Sequence, residues 1–211
     1  MIRRIQTLIV LVPLVMGCTY TRVTGFVDPG SRPASFQRIA VHAQVDDLSD
    51  RQAIESALAE QLSSQNVRAV TLLSLAPPTR ETTPEELEAL LRANSVDGVL
   101  EIRIAETGYL HTIDPVTSEA ETTTKKGRDG KEHPVTRVST SGGGSSHKAF
   151  GKLRVSLKST ATGQTAWVGD ADSRAFFSTF NPDWDMAFLL KAFARKTARE
   201  LVKTGLLQLG G

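Results

Sequence analysis

Three segments of the chain alternate between apolar and polar side chains, and this alternation constrains the fold more than any other feature. Apolar residues recur at every second position within 36–45, 98–106 and 149–158. A period of two is typical of strands that bury one face, whereas strands covered on both faces read as continuous apolar runs. The alternation therefore predicts a sheet with helices mainly on one face and the other face partly open.

Helix signals lie between and after these strands. A capping-box pattern at Ser49 to Gln52 precedes an apolar stripe. Thr83 followed by Pro84 has the form of a second helix start, because proline fits the first helical position. A third apolar stripe follows Asn181. The sequence thus predicts three helices.

Two further strands are expected at 67–73 and 164–174. The order strand, helix, strand, helix, strand is typical of α/β proteins. We therefore expect an α/β (α+β-like) fold, a two-layer mixed sheet of about five strands with three helices mainly on one face.

A long polar insert at 107–148 separates the second and third alternating strands. It is rich in Thr, Ser, Lys and Gly, and it carries a turn signal at Asp129-Gly130. It has few apolar side chains to bury. We expect a polar loop or a hairpin, basic and solvent-facing, and we expect the strands 98–106 and 149–158 to pair antiparallel.

The first residues follow the order of a secretory signal. Arg3 and Arg4 form a charged start, and an apolar run at 8–16 ends at the small residue Gly17. This run is shorter than the roughly 20 residues that span a bilayer. Leu14 to Cys18 resembles the lipobox of bacterial lipoproteins, which implies a signal peptide at 1–17 and acyl chains such as palmitate on Cys18. An ordinary secreted protein that is cleaved nearby is the alternative.

Cys18 is the only cysteine, so the fold must be stabilised without a disulfide. The segment 18–35 is rich in Thr, Gly, Pro and Ser and is predicted to be a flexible tether. A single domain then occupies 36–211. The lipoprotein resemblance implies lipid anchoring, and Thr19 after the cysteine, in place of aspartate, favours the outer membrane.

Charge and reactive side chains narrow the class of function. Without Arg3 and Arg4 the chain has 23 basic and 23 acidic residues, so nucleic acid is not an expected partner. The four histidines are not spaced as metal ligands, and His42 is expected on the open face of the sheet. No nucleophile elbow is present. We expect neither an enzyme nor a cofactor.

An aromatic cluster near the last helix is the candidate partner-binding site. The cluster contains five of the ten Phe and Trp residues of the chain. They are Phe176, Phe177, Phe180, Trp184 and Phe188. They either pack in the core at the corner between strand and helix or form an exposed patch for a partner.

The run from Phe36 to Glu106, the Asp97 to Leu100 strand entry and Thr162-Gly163 before a Trp-bearing strand resemble small bacterial envelope lipoproteins of unknown function. The run is more distantly similar to the N-terminal α/β domain of the Tol periplasmic protein and to the curli-secretion-channel lipoprotein. The resemblance implies a membrane-anchored, periplasm-facing, non-catalytic binding or assembly module of the cell envelope, with envelope proteins as partners. The alternative is a carrier or sensor of a small envelope molecule. A pore is not expected, because 120–148 lacks apolar character.

Overall fold

The structure is a computed structural model that describes residues 19–31, 35–79, 81–113, 117–126, 132–141, 145–175 and 182–209. These residues form eight strands and four helices, with one short 3-10 turn at Pro29–Ser31. The strands are β1 (Thr19–Val27), β2 (Arg38–Gln44), β3 (Arg68–Thr71), β4 (Gly98–Ile113), β5 (Thr117–Lys126), β6 (Glu132–Ser141), β7 (Ser145–Ser159) and β8 (Thr165–Ala175). The helices are α1 (Leu48–Ser63), α2 (Leu72–Leu75), α3 (Pro84–Ala93) and α4 (Pro182–Lys203).

Six strands form one mixed sheet in the order β1-β8-β7-β4-β2-β3, and β5 pairs with β6 in a separate hairpin. β2 runs parallel to both β3 and β4, while the other pairs are antiparallel. The mixed sheet and the antiparallel pairing of β4 with β7 are confirmed. The predicted counts of five strands and three helices are too low, because they omit β1, the β5–β6 hairpin and the single-turn helix α2.

The main core lies between one face of the sheet and the helices α1 and α4. α1 packs on β2 and β3, and α4 packs on β1, β8 and β7. The largest fully buried side chains include Trp167, Phe193, Ile39, Leu58, Leu62, Leu100, Ile102 and Leu157. Of these, Ile39, Leu100, Ile102 and Leu157 lie on strands, at the alternating positions that the sequence predicts to face the core. None of the described helices is long and apolar enough to span a membrane.

The opposite face is not open along its whole width, which corrects the two-layer prediction. Leu72 of α2 and Leu91 of α3 form a second buried cluster with Ala40 and Val96. Ala40 lies between Ile39 and Val41, so β2 is apolar on both faces at this point. The sheet is therefore covered on both faces near β3, β2 and β4, and one face stays open across β7, β8 and β1.

The prediction of a flexible tether at 18–35 is wrong for Thr19–Val27, because these residues form the edge strand β1. β1 pairs with β8 over its full length, from Thr19 opposite Ala175 to Val27 opposite Trp167. The domain therefore begins at Thr19 and not at residue 36. The alternation is hidden in the sequence because a threonine and a glycine occupy inward positions that apolar residues usually fill.

Gly25 shows why a glycine is required in β1. The indole of Trp167, 1% exposed, lies along the inner side of β1 and β8. A Cβ atom at Gly25 would lie 2.6 Å from Trp167 Cε2, and one at Gly169 would lie 2.5 Å from Cζ2. Both glycines make room for the indole, which fixes the register of the two strands.

Helix starts differ in detail from the predictions. Asp47, and not Ser49, caps α1 and accepts a hydrogen bond from the Asp50 amide at 2.9 Å. Thr83 caps α3 in a capping box with Glu86, as its position before Pro84 predicts. The strand predicted at 67–73 ends at Thr71, because Thr71 caps the single-turn helix α2.

The insert at 107–148 is a hairpin extension, as one of the two sequence alternatives proposes. β4 and β7 continue as a two-stranded ribbon to the pair Ile113 and Ser145. β5 and β6 then pair from Thr117 opposite Ser141 to Lys126 opposite Glu132. The described side chains of this hairpin are exposed, so it faces solvent.

Candidate functional site

The pairing registers define one end of the sheet, which we call the anchor end. Thr19 lies opposite Ala175, the last residue of β8. Phe150 pairs with Arg174, and Ala149 pairs with Tyr109. Thr19, Ala175, Ala149 and Tyr109 are therefore level across the sheet. Cys18 lies outside the described residues and directly precedes Thr19 in the sequence.

The open face is the side of β1, β8 and β7, with the adjoining part of β4, that no described helix covers. Cross-strand ion pairs join Lys152 to Glu106 at 2.6 Å and Arg154 to Asp170 at 2.8 Å. Hydrogen bonding to Asp170 raises the pKa of Arg154. Each exposed pair contributes little to stability, but together the pairs order a flat, polar surface.

A shallow depression of about 390 Å³ lies on the open face. Its polar lining includes Arg22, Thr24, Lys152, Arg154, Asp170 and Asp172. Asp172 also pairs with Arg174 at 3.0 Å. Arg22 forms no ion pair with a carboxylate among the described residues, and Arg103 donates from Nε to the Gln44 side chain. The open face therefore carries positive charge that its own carboxylates do not balance.

A second cavity, which we call the helical groove, lies on the other face between the N-terminal halves of α1 and α4. Its volume is about 440 Å³. Its lining is mainly aliphatic and aromatic, with Ile54, Ile104, Leu153, Leu189, Leu190 and Phe193. Ile104 is 37% exposed although Ile102 on the same strand is buried. The helices therefore leave the sheet uncovered at this level, and an apolar molecule could contact it.

His42 lies on β2, as predicted, but the face it occupies is covered by α3. It lines a cavity of about 270 Å³ together with Leu91, Glu101 and Lys158. Burial lowers the pKa of the His42 imidazole below its usual value, and the positive charge of Arg51 lowers it further. Within the described ranges no group of three or more His, Cys, Asp or Glu side chains is arranged to hold a metal ion.

Glu55 is the buried carboxylate that the sequence analysis missed. It accepts hydrogen bonds from the Ala43 amide at 3.1 Å, the Leu73 amide at 2.9 Å and Arg51 Nε at 3.0 Å. These bonds tie α1 to the end of β2 and to the start of α2. Both carboxylate oxygens accept hydrogen bonds from the protein itself, so the role of Glu55 is structural. An acidic residue two turns after a helix start gives no sequence signal of such burial.

The predicted site residues are only partly covered by the structure. Cys18 and the cluster members Phe176, Phe177 and Phe180 lie outside the described residues. Trp184 falls within α4, but its side chain is outside the described part. Phe188 on α4 is 45% exposed. The partner-binding role of the cluster therefore stays a prediction.

The fold and its surfaces define a class of small mixed α/β domain with one open sheet face. No family model matches the chain, and no curated protein matches it. Solved structures are similar to the chain at 13–14% identity.

The PelC dodecamer from Paraburkholderia phytofirmans is 13% identical, with a TM-score of 0.47, over 84% of this chain and 94% of that chain. Lipoprotein GNA1162 from Neisseria meningitidis is 14% identical, with a TM-score of 0.43, over 81% and 99% of the two chains. The hypothetical protein CT253 from Chlamydia trachomatis is 13% identical, with a TM-score of 0.38, over 79% and 94%. No residue role is carried over from these structures.

Proposed function

We propose that the chain is a lipid-anchored envelope protein whose domain is a non-catalytic binding module held directly at the membrane surface. One observation carries this proposal. The sheet includes Thr19, the residue that immediately follows the lipobox-like cysteine Cys18. A lipid on Cys18 would therefore be attached to strand β1 itself, with no intervening linker.

The chemistry of the anchor supports stable attachment. Each buried methylene contributes about 0.8 kcal/mol, so a single acyl chain binds marginally and two or more bind stably. A diacylglyceryl group on Cys18 meets this requirement. We place the protein at the outer membrane, facing the periplasm, because Thr19 follows the cysteine.

Fatty-acid labelling tests the anchor. The chain is expected to incorporate labelled palmitate in a bacterial host, and Cys18→Ser is expected to abolish the label. Thr19→Ser is the matched control, because it keeps the cysteine and a hydroxyl beside it. Labelling that persists in Cys18→Ser would contradict the proposal.

We further propose that an envelope protein docks on the open face. Arg22 and Arg103 supply positive charge without a carboxylate partner among the described residues, and the ion pairs between them hold the surrounding side chains in place. Such an arrangement favours a partner with an acidic surface, because complementary charge steers association and sets orientation.

Site-specific photo-crosslinking in intact cells tests the docking surface. A photoreactive residue at Thr24, on the open face, is expected to give a discrete adduct with an envelope protein. The same residue at Arg195, exposed on α4, is the control and is expected to give none. Equal adducts at both positions would show that the open face is not the docking surface.

A carrier of a small apolar molecule is the second candidate function, and the helical groove favours it. A volume of about 440 Å³ falls in the range of small-molecule sites. The purified chain is then expected to bind a fluorescent fatty acid, and Ile104→Glu is expected to weaken binding because it places a charge in the groove. Phe26→Glu, on the opposite face, is the control.

A further inference from the structure

We propose that the anchor end of the domain lies in the membrane–water interface, with Tyr20, Tyr109, Leu110 and Phe188 at the level of the lipid headgroups. This inference rests on the proposed lipid anchor at Cys18. It goes further because it names the surface of the folded domain that contacts the bilayer and fixes which end of the sheet faces away.

The strand registers place these side chains close to the anchor. A strand rises about 3.3 Å per residue, so Tyr20 lies within about 7 Å of Cys18 along β1. Tyr109 is level with Thr19 through Ala149 and Ala175. Leu110 pairs with Lys148 one step beyond the level of Thr19. Since the acyl chains leave the protein at this level, these side chains are within reach of the headgroups.

α4 completes the same surface. Leu189 packs on Ala149 and Ala175 in a small buried cluster at the anchor end. Phe188 precedes Leu189 on the helix and is itself 45% exposed. On the helix side of the sheet, Tyr109 and Phe188 lie beside this small cluster. Tyr20 and Leu110 lie at the same end of the sheet, on the open face.

The exposed side chains have the chemistry of an interface. Tyr20, Tyr109 and Leu110 are between 43% and 49% exposed. Tyrosine is enriched where a bilayer meets water, because its ring is apolar and its hydroxyl is polar. Single exposed apolar residues are common on any surface. Four of them at the one end of the sheet that carries the anchor, two on each face, are not a scattered set.

Charge at the anchor end agrees with a surface contact. Lys148 on β7 pairs with Leu110, and basic side chains are attracted to an anionic lipid surface. Arg174 lies opposite Tyr20 and is paired with Asp172. Leu48 is also exposed, but it follows β2, whose last residue Gln44 is level with Arg103 and not with Tyr109, so we place the corner at α1 above the headgroups.

The polar hairpin β5–β6 limits how deep the domain can lie. A two-stranded ribbon has unpaired backbone N–H and C=O groups along its two outer edges. Such a ribbon cannot enter the hydrocarbon, because these groups would find no hydrogen-bond partner there. The ribbon of β4 and β7 continues three pairs beyond Leu110, about 10 Å, which exceeds the headgroup layer of about 6 Å. The ribbon and its hairpin must therefore run along the membrane surface. The anchor end lies on the membrane and does not cross it.

Single-thiol fluorescence tests the inference in the full lipidated chain. Cys18 is the only cysteine and carries the lipid, so an introduced cysteine provides the only free thiol. Tyr20→Cys and Leu110→Cys are labelled with an environment-sensitive fluorophore. Phe26→Cys is the matched control, because Phe26 is 68% exposed on the same strand and the same face as Tyr20. The two positions are about 20 Å apart.

The labelled proteins are reconstituted in vesicles of phosphatidylethanolamine and phosphatidylglycerol that contain a lipid spin-labelled near its headgroup. We expect loss of fluorescence at Tyr20 and Leu110 and none at Phe26. Vesicle flotation and intact mass report the lipid anchor separately. A lipidated protein that floats but shows equal quenching at Tyr20 and Phe26, or no quenching at either, overturns the inference and leaves the anchor intact. An intact mass without the lipid overturns both.

Discussion

Gly25→Ala distinguishes strand β1 from a flexible tether. If 19–27 were a linker, an alanine at position 25 would cost almost nothing. In the structure the new Cβ would lie 2.6 Å from Trp167 Cε2, whereas carbon atoms in contact are about 3.5–4.0 Å apart. The indole would have to move by about 1 Å in a core that is packed as densely as a crystal.

The magnitude follows from the burial of Trp167. Added methyl groups in a well-packed core cost about 1–3 kcal/mol, because neighbours leave their preferred rotamers or the backbone shifts. We expect Gly25→Ala to lower the free energy of unfolding by this amount. For a chain of this size, that corresponds to a melting temperature lower by about 2–12 °C.

The assay is urea unfolding of the purified lipidated chain in detergent, followed by circular dichroism. Gly30→Ala is the matched control, because Gly30 lies in the same segment and its nearest neighbour, Asp28 Oδ1, would be 3.5 Å from the added Cβ. It is expected to change stability by less than about 0.5 kcal/mol. In a Trp167→Leu background, Gly25→Ala is expected to cost much less, because the clashing ring is gone.

Equal stability of Gly25→Ala and Gly30→Ala would refute the placement of the indole against β1. A Gly25→Ala cost that persists unchanged in Trp167→Leu would show that position 25 requires glycine for another reason.

Three further predictions address a buried carboxylate, a titrating histidine and the hairpin. Glu55→Ala is expected to lower the free energy of unfolding by about 3–5 kcal/mol in urea, because it leaves Arg51 and two backbone amides without their acceptor. The control Glu88→Ala breaks an exposed ion pair and should cost less than about 0.5 kcal/mol. Similar costs for the two variants would contradict the buried role of Glu55. Because the pKa of His42 is lowered in the folded chain, the unfolded chain binds a proton at this imidazole more readily, and the free energy of unfolding should fall as the pH drops below about 6.5. His42→Gln should flatten this part of the plot of stability against pH. An unchanged plot would contradict the prediction. Joining Ile113 to Ser145 through Asn-Gly, which removes β5 and β6, should change stability by less than about 0.5 kcal/mol, and a large loss would show that the hairpin packs on the domain.

The main core could be predicted from the sequence because its strands obey a period of two. Ile102 and Val155 face the helices for that reason, and both are buried. The pattern does not predict the second layer at α3, because Ala40 occupies the phase of β2 opposite to the large apolar residues Ile39 and Val41. An alanine fits either phase, so a pattern of large apolar residues does not register it. Ala40 is buried because Leu72 and Leu91, which are distant in sequence, pack on it.

β1 could not be predicted because its inward positions carry little apolar signal. Thr21 is buried and hydrogen bonded to Ser173 at 3.1 Å, and Gly25 is placed by a tryptophan that is distant in sequence. A threonine and a glycine read as a linker until their partner strand is known. The helical groove and the open face share this property, since each is assembled from strands and helices that are far apart in the chain.

The position of β1 has a consequence for docking. In the proposed anchored state, the lipid is joined to an edge strand that pairs with β8 at nine positions and also contacts α4. A flexible tether would let the domain tumble, but a strand within the sheet passes the restraint of the lipid to the whole core. The open face then meets the periplasm at an orientation set by the covalent geometry at Thr19. A partner held in the same membrane gains affinity from that restraint, because part of its orientational entropy is already lost before contact.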